Sequence, residues 1–396
     1  MKLVLHIGAH KTGSTALQRH LQVNSAVLAE SGIHYAAPDS AITSNEVADA
    51  LAAGCVQAVH EFFNAHVEMA KRRGARTVLV SAENFYGMTI VSALRRTRSC
   101  SDAIVQEHVL IRQLKNLIPS RIDDHNIVCY FRRPDHFVES WYNQNIKGSS
   151  LFDGTFTEFL RIVYPALLYN SVLRIWADVF GQHKCTVRVY EECGGDILSD
   201  FLGSVLEIDK SEFVRETADA NERLSRELVE FFARHANERL SRDLVEFKRE
   251  KNATIPYSEK ATQYRTFGIL EKRLATRRWE PRDYRDFLSP HERADLLNGL
   301  KSEITTLQST YNLPPFPTFD LEAAARGWTP YPGLSRERRE EIEREYRKIE
   351  RSWRLRVGDG VRRYRVNRGQ RTARVDADAP ERVRLGAKKL GRRRTE

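Results

Sequence analysis

Residues 3–18, LVLHIGAHKTGSTALQ, set a short apolar run, a glycine and then Lys11-Thr12-Gly13-Ser14-Thr15 in direct succession. A strand that turns at Gly8 and opens a helix near Gly13 directs several unpaired backbone N–H groups at one point, where the helix dipole adds positive character. Lys11 contributes a full charge, Ser14 and Thr15 contribute hydroxyl donors, and Gly13 allows close backbone approach. Together they suit an anion, most naturally a phosphate. The order differs from the ATP-binding loop G-x-x-x-x-G-K-[ST], because Lys11 precedes the second glycine instead of following it.

A second strand–turn–helix pattern lies at 127–147, IVCYFRRPDHFVESWYNQNIK. Arg132 and Arg133 leave the strand, Pro134 opens the helix, and Ser140 follows Arg132 by eight residues, about two turns into that helix. A guanidinium fork and a hydroxyl can close on one phosphate. Two anion sites at neighbouring strand ends match a nucleotide carrying phosphate at both ends.

The pair of motifs resembles the sulfotransferase family that uses 3′-phosphoadenosine 5′-phosphosulfate (PAPS). The resemblance covers roughly residues 1–315 and rests on Lys11-Thr12-Gly13-Ser14-Thr15 and on Arg132-Arg133-Pro134, Ser140 and Tyr142. The wording HIG-x-x-KTGST-x-LQ is similar to the bacterial branch, which lies near the carbohydrate sulfotransferases. VRVYEE at 187–192 and LSPHERADLL at 288–297 are weaker echoes. Phe137 stands where animal Golgi members often carry a second arginine, so the acceptor of those members does not carry over.

The resemblance implies that Lys11, Thr12, Gly13, Ser14 and Thr15 hold the 5′-phosphosulfate and that Arg132 and Ser140 hold the 3′-phosphate. It also implies a base near the end of the strand at 76–82, and Glu83 matches in place and type. His10, inside the loop itself, is the rival for that role. His6 alternates into the strand as buried structure, and His136 is expected on a helix surface. Gln144 and Lys147 are candidates to reach the sulfonate or the acceptor. The implied activity is transfer of a sulfonate group to a hydroxyl on a glycan or glycolipid. PAPS serves as co-substrate, and no metal is expected because no ligand cluster is evident.

Those residues need a scaffold. Strand-like runs at 2–7, 76–82, 126–131 and 185–190 alternate with helical stretches at 13–21, 56–73, 103–117, 155–180 and 196–206. Such alternation predicts α/β architecture, a P-loop-like parallel sheet with helices on both faces and ligand at the carboxyl ends of its strands. Helix is expected again at 289–311, with Ser289 as N-cap and Pro290 first, and at 334–356, with Ile342, Tyr346, Ile349 and Trp353 as a narrow seam. The prolines of 313–319 place a boundary near 320, giving a catalytic domain at 1–320 and a basic extension at 321–396, disordered beyond the helix. NERLSRELVEF at 221–231 recurs as NERLSRDLVEF at 237–247, a local duplication. Variable loops at 36–56, 148–156 and 250–285 are expected to shape the acceptor cleft.

The net charge of +10 belongs to the C-terminal end: residues 331–396 hold 22 Lys+Arg against 11 Asp+Glu, leaving 41 and 42 in the first 330. A neutral body with a basic tail argues against a nucleic-acid-binding fold, although a nucleic-acid-binding protein acting through the tail is one alternative and a P-loop kinase another. No specific nucleic acid is expected. The absence of a long apolar run excludes a transmembrane helix. The N-terminus turns polar too early for a secretory signal, so the expected location is cytoplasmic, with the tail suited to peripheral contact with an anionic membrane. Five cysteines without a CxxC pair point to no disulfide framework or zinc site.

Overall fold

The computed structural model describes residues 1–36, 43–95, 102–148, 152–194, 196–208, 241–254, 266–267, 269–270 and 286–351. It is an α/β fold around a five-stranded, all-parallel sheet of order β2-β3-β1-β4-β5. The strands are β1 (Lys2–Gly8), β2 (Ile33–Tyr35), β3 (Thr77–Ser81), β4 (Asp124–Phe131) and β5 (Cys185–Val189). Between them run α1 (Ser14–Val23), α2 (Ser25–Glu30), α3 (Ser44–Ala52), α4 (Val56–Arg72), α5 (Met88–Arg95), α6 (Ala103–Leu117), α7 (Pro134–Lys147), α8 (Phe156–Leu167), α9 (Tyr169–Phe180) and α10 (Ile197–Asp200). Further helices cover Arg242–Asn252, Pro290–Gly299, Lys301–Tyr311, Leu321–Ala325 and 336–351.

Central β1 pairs with β3 on one side and β4 on the other, with Leu5 opposite both Val80 and Ile127. The chain leaves β1 toward β2 and leaves β4 toward β5. The carboxyl ends of β1 and β4 therefore flank the switch point of the sheet, where α/β folds open a ligand crevice. A bulge between His6 and Gly8 bends the end of β1 there.

Both sheet faces are covered. On one, Val4, Leu79, Val128 and Tyr130 pack with Leu17, Leu21 and Leu28 of α1 and α2 and with Ile197, Phe201 and Leu202. On the other, Phe131 stacks on Tyr169 and meets Tyr86 edge-on. Truncating a fully buried leucine such as Leu17 to alanine costs about 2–5 kcal/mol in such a core. Ala16, next to Leu17 on α1, is exposed.

The three-residue β2 was not expected, since its periodicity is too short to register. The expected continuous helix at 155–180 is two, α8 and α9, broken at Leu168. Pro165 removes an N–H from the last turn of α8, and the chain restarts at Tyr169. The expected helix at 289–311 likewise divides at Leu300, after Gly299. Its N-terminus does carry the Ser289–Glu292 capping box with Pro290 first.

The chain forms two compact units, one of residues 1–261 with 280–333 and one of 262–279 with 334–396. The first unit thus runs past the expected boundary at 320: Tyr331 donates its hydroxyl to Asp243 at 2.7 Å. In the second unit Ile342, Tyr346 and Ile349 are buried, and Tyr346 meets the Phe267 ring. Trp353, residues 352–396, the repeat at 221–231 and the start of its copy lie outside the described residues. No described helix is long and apolar enough to cross a membrane.

Candidate functional site

The loop between β1 and α1 is the hub on which three other chain segments converge. Gly13, at φ +82, is the residue before α1, and no side chain caps that helix. The first N–H groups of α1 therefore receive no capping bond from the N-cap residue. Lys11 also lies in the left-handed region at φ +63, which for a side-chain-bearing residue costs about 1–3 kcal/mol and commonly marks a functional turn. Thr12 is fully buried with its hydroxyl donated to Ala9 O at 2.7 Å, so this side chain ties the loop together. Ser14 is buried and Thr15 exposed.

Segment 132–141 meets the loop twice. Arg132 donates Nη1–H to Lys11 O at 3.3 Å, linking the two expected anion motifs directly. The His10 ring stacks on Trp141 at 4.8 Å, which sets the loop against α7 one residue beyond Ser140. Ser140 is buried on α7. The Arg132 guanidinium lies over the Tyr190 ring at 5.5 Å, and its buried Nε has no partner among the described residues.

Segment 190–197 closes the far side. A Cβ at Gly13 would stand 3.2 Å from Ile197 Cγ2 and 3.8 Å from the Tyr190 ring, closer than most side chains tolerate. Asp200 anchors α10 by accepting from Tyr130 O–H at 2.7 Å and from Arg188.

Segment 81–84 supplies the acid. A Cβ at Gly8 would meet Glu83 O at 3.3 Å, so glycine permits the close approach of these backbones. The Glu83 carboxyl is raised above its ordinary range by burial, with the Lys11 charge pulling it back down. Asn84 donates to Asp49 at 3.2 Å, and Gln18 donates to Ser81 O at 3.2 Å, pinning the segment to α3 and α1. His6 is fully buried, bonded through Nδ1 to Ser81 Oγ at 2.8 Å, and burial lowers its pKa to about 4. It is buried, as expected.

His136 keeps a 38% exposed side chain, in line with the expected helix surface, but it is not an isolated surface group. It is drawn into a charge cluster, with Nε2 at 2.8 Å from Arg133 Nη2, and burial lowers its pKa to about 4. Arg133 also differs from its neighbour: it forks onto Asp135 at 2.7 and 2.9 Å and reaches Pro317 O and Thr318 O. Gln144 and Lys147 stand near the far end of α7. Lys147 is about 10 Å beyond Ser140 along the axis, beside the stretch where Asn252 donates to Ile146 O and Phe152 O. The loop brings Lys11, His10, Arg132 and Glu83 together, while Gln144 and Lys147 follow Ser140 one and two turns along α7.

Tyr169, Tyr190, Glu191, Gln18 and Trp141 entered no sequence-based site. Only the VRVYEE echo pointed at two of them. Among the described residues no group of three or more His, Cys, Asp or Glu is placed to hold a metal.

No family model matches this chain. Over 124 residues it is 34% identical to an uncharacterized protein of Archaeoglobus fulgidus, a stretch spanning 31% of this chain and 32% of that one. The match therefore covers about a third of either protein and names no activity.

Proposed function

We propose that the chain is a PAPS-dependent sulfotransferase acting on a hydroxyl of a glycan or glycolipid, built on a P-loop-like strand–loop–helix. The observation that carries this reading is the Arg132–Lys11 contact at the β1/β4 switch point. It sets a guanidinium with an unused Nε beside an uncapped helix N-terminus, two anion-seeking groups supplied by different strands.

In the proposed reaction the acceptor oxygen attacks sulfur in line, the bond from sulfur to the bridging oxygen breaks, and adenosine 3′,5′-bisphosphate departs. Negative charge grows on that oxygen and on the 5′-phosphate. Lys11 and the α1 N–H groups face that charge, so they favour the transition state over the ground state. Arg132 and Ser140 take the 3′-phosphate. Glu83 takes the acceptor proton; its desolvated carboxylate is a stronger base than an exposed one, and Lys11 beside it keeps it from being neutralised outright. His10 fits the role less well, because its ring is stacked on Trp141.

Isothermal titration with adenosine 3′,5′-bisphosphate, AMP and ATP tests the reading. The bisphosphate is expected to bind much more tightly than AMP and without Mg²⁺. Equal affinity for AMP and the bisphosphate, or Mg²⁺-dependent preference for ATP, would sink it.

A further inference from the structure

Arg132 and Arg133 are joined by one peptide group, and side chains from two other elements hold both of its polar atoms. The Arg132 carbonyl accepts the Tyr169 O–H at 2.7 Å. The Arg133 N–H donates to Glu191 Oε1 at 2.9 Å. Tyr169 is the first residue of α9, placed by the break after α8, and Glu191 lies in the turn after β5. A planar peptide held at both ends cannot rotate about its flanking bonds. Consecutive side chains then leave in different directions. Arg132 goes to Lys11 O, and Arg133 goes to Asp135.

The clamp is itself well held. Tyr169 is fully buried, with its ring stacked on Phe131 at 4.4 Å. Burial, with the Glu191 charge adding to it, keeps the hydroxyl protonated and so a donor. Glu191 Oε2 is buried without a hydrogen-bond partner among the described residues, so the side chain is held at a desolvation cost with only Oε1 engaged. Tyr190, the residue before it, lines the Arg132 guanidinium.

We propose that Tyr169 and Glu191 are positioning residues that aim Arg132 at the β1–α1 loop and thereby set the preference for a nucleotide with two separate phosphates over one with a single phosphate. The proposal rests on the two-anion reading above.

The test is titration of the full chain with adenosine 3′,5′-bisphosphate and with AMP, read as the ratio of the two affinities. Glu191→Ala is expected to lower that ratio by roughly tenfold, the size of one charge-assisted bond lost to misalignment. Tyr169→Phe, which keeps the ring and removes only the donor, is expected to lower it by a factor of about three to ten. Glu191→Gln is expected to keep the ratio, because its amide oxygen accepts the same N–H. In an Arg132→Ala background neither change should lower the ratio further, since the aimed group is gone. A merely structural role would depress melting temperature and both affinities together and leave the ratio alone, and that result overturns the proposal. Ratio changes that add to those of Arg132→Ala overturn it too. If Glu191→Ala does not fold, Tyr169→Phe and Glu191→Gln still decide. An unchanged ratio in Arg132→Ala alone overturns the two-anion reading. A drop there with no change in Tyr169→Phe overturns the clamp and leaves the reading standing.

Discussion

Two charged regions begin one residue apart and are built on opposite principles. Arg133 enters a cluster in which the charges are mutually paired. Asp135 accepts from both Arg133 and Arg293, and Glu139 accepts from Arg293 at 3.1 Å and from the Phe287 and Leu288 N–H groups at 2.8 and 3.0 Å. Arg132 makes one long bond to a loop carbonyl and keeps a buried Nε unused. Burial alone would raise the Asp135 pKa, but Arg133, His136 and Arg293 outweigh it and hold the carboxyl at about 2. The contrast teaches where to look for function. A charge whose partners are all protein atoms holds the fold, and one left under-satisfied beside a helix N-terminus is where the proposed ligand is to be sought.

The comparison breaks most visibly on the paired side. Arg293→Ala leaves Asp135 and Glu139 buried with less compensation and is expected to cost about 3–5 kcal/mol of stability in urea unfolding. The ratio of bisphosphate to AMP affinity should survive in whatever remains folded. A loss under 1 kcal/mol would show the cluster to be ornamental.

Glu83→Gln comes next. Turnover is expected to fall by about 10²-fold or more with nucleotide affinity kept. In the wild type the acid limb of the rate profile should lie above the ordinary carboxylate range, because burial raises the Glu83 carboxyl. Turnover falls as pH drops through that limb. If Glu83→Gln is fully active while His10→Ala is dead, the base is His10.

Arg132→Ala is expected to remove about 1.5–3 kcal/mol of bisphosphate binding, the range for a hydrogen bond to a charged group. Unlike Arg293→Ala, it should shift the unfolding midpoint by little, and calorimetry of both variants side by side reads the difference. A large loss of stability in Arg132→Ala would place the two arginines in one structural class.

Acid sharpens the contrast further. His6 and His136 have pKa values lowered by burial to about 4. The unfolded chain therefore binds protons that the folded chain refuses as pH falls from 6.5 toward 4, and stability is lost across that window. Asp135, held at about 2, contributes stability that persists above its unfolded value near 4 and is lost only as pH falls from there through 2. Unfolding free energy should thus decline in two stages, with His34 and His66, also lowered by burial to about 4, adding to the first and the raised carboxyls of Glu83 and Glu107 opposing it. His136→Asn should blunt the first, and a flat profile between pH 6.5 and 4.5 would refute the assignment.

The smallest effect on the nucleotide site is expected from removing residues 352–396, which carry 15 Lys+Arg and 5 Asp+Glu. Bisphosphate affinity should not change. Co-sedimentation with anionic vesicles at low salt should fall, since each basic residue near such a surface contributes about 1 kcal/mol. Equal sedimentation by both proteins would remove the membrane role.

Much of the scaffold was legible in sequence. Lys2–Gly8, Thr77–Ser81, Asp124–Phe131 and Cys185–Val189 are apolar runs bounded by polar turns, and α4, α6 and α7 follow from periodicity and from Pro134. The candidate anion loop stood out because Lys11, Thr12, Gly13, Ser14 and Thr15 are consecutive, so the proposal for it rests on local chemistry. Strand β2 and the breaks at Leu168 and Leu300 were not, because three residues carry no period and a helix break depends on what each half packs against.

The sequence by itself determined the kind of fold, the residue types at both anion motifs and the location of the excess charge, since each is a property of consecutive residues. The resemblance singles out Arg132, and only the tertiary structure shows what turns it, and not Arg133, to the loop. Arg132 and Arg133 are chemically identical, and their roles were separated by partners 37 and 58 residues further along the chain, Tyr169 at the start of α9 and Glu191 after β5. The physical reason is that a peptide plane is fixed by whatever bonds its two polar atoms, and those bonds are set by the packing of distant elements.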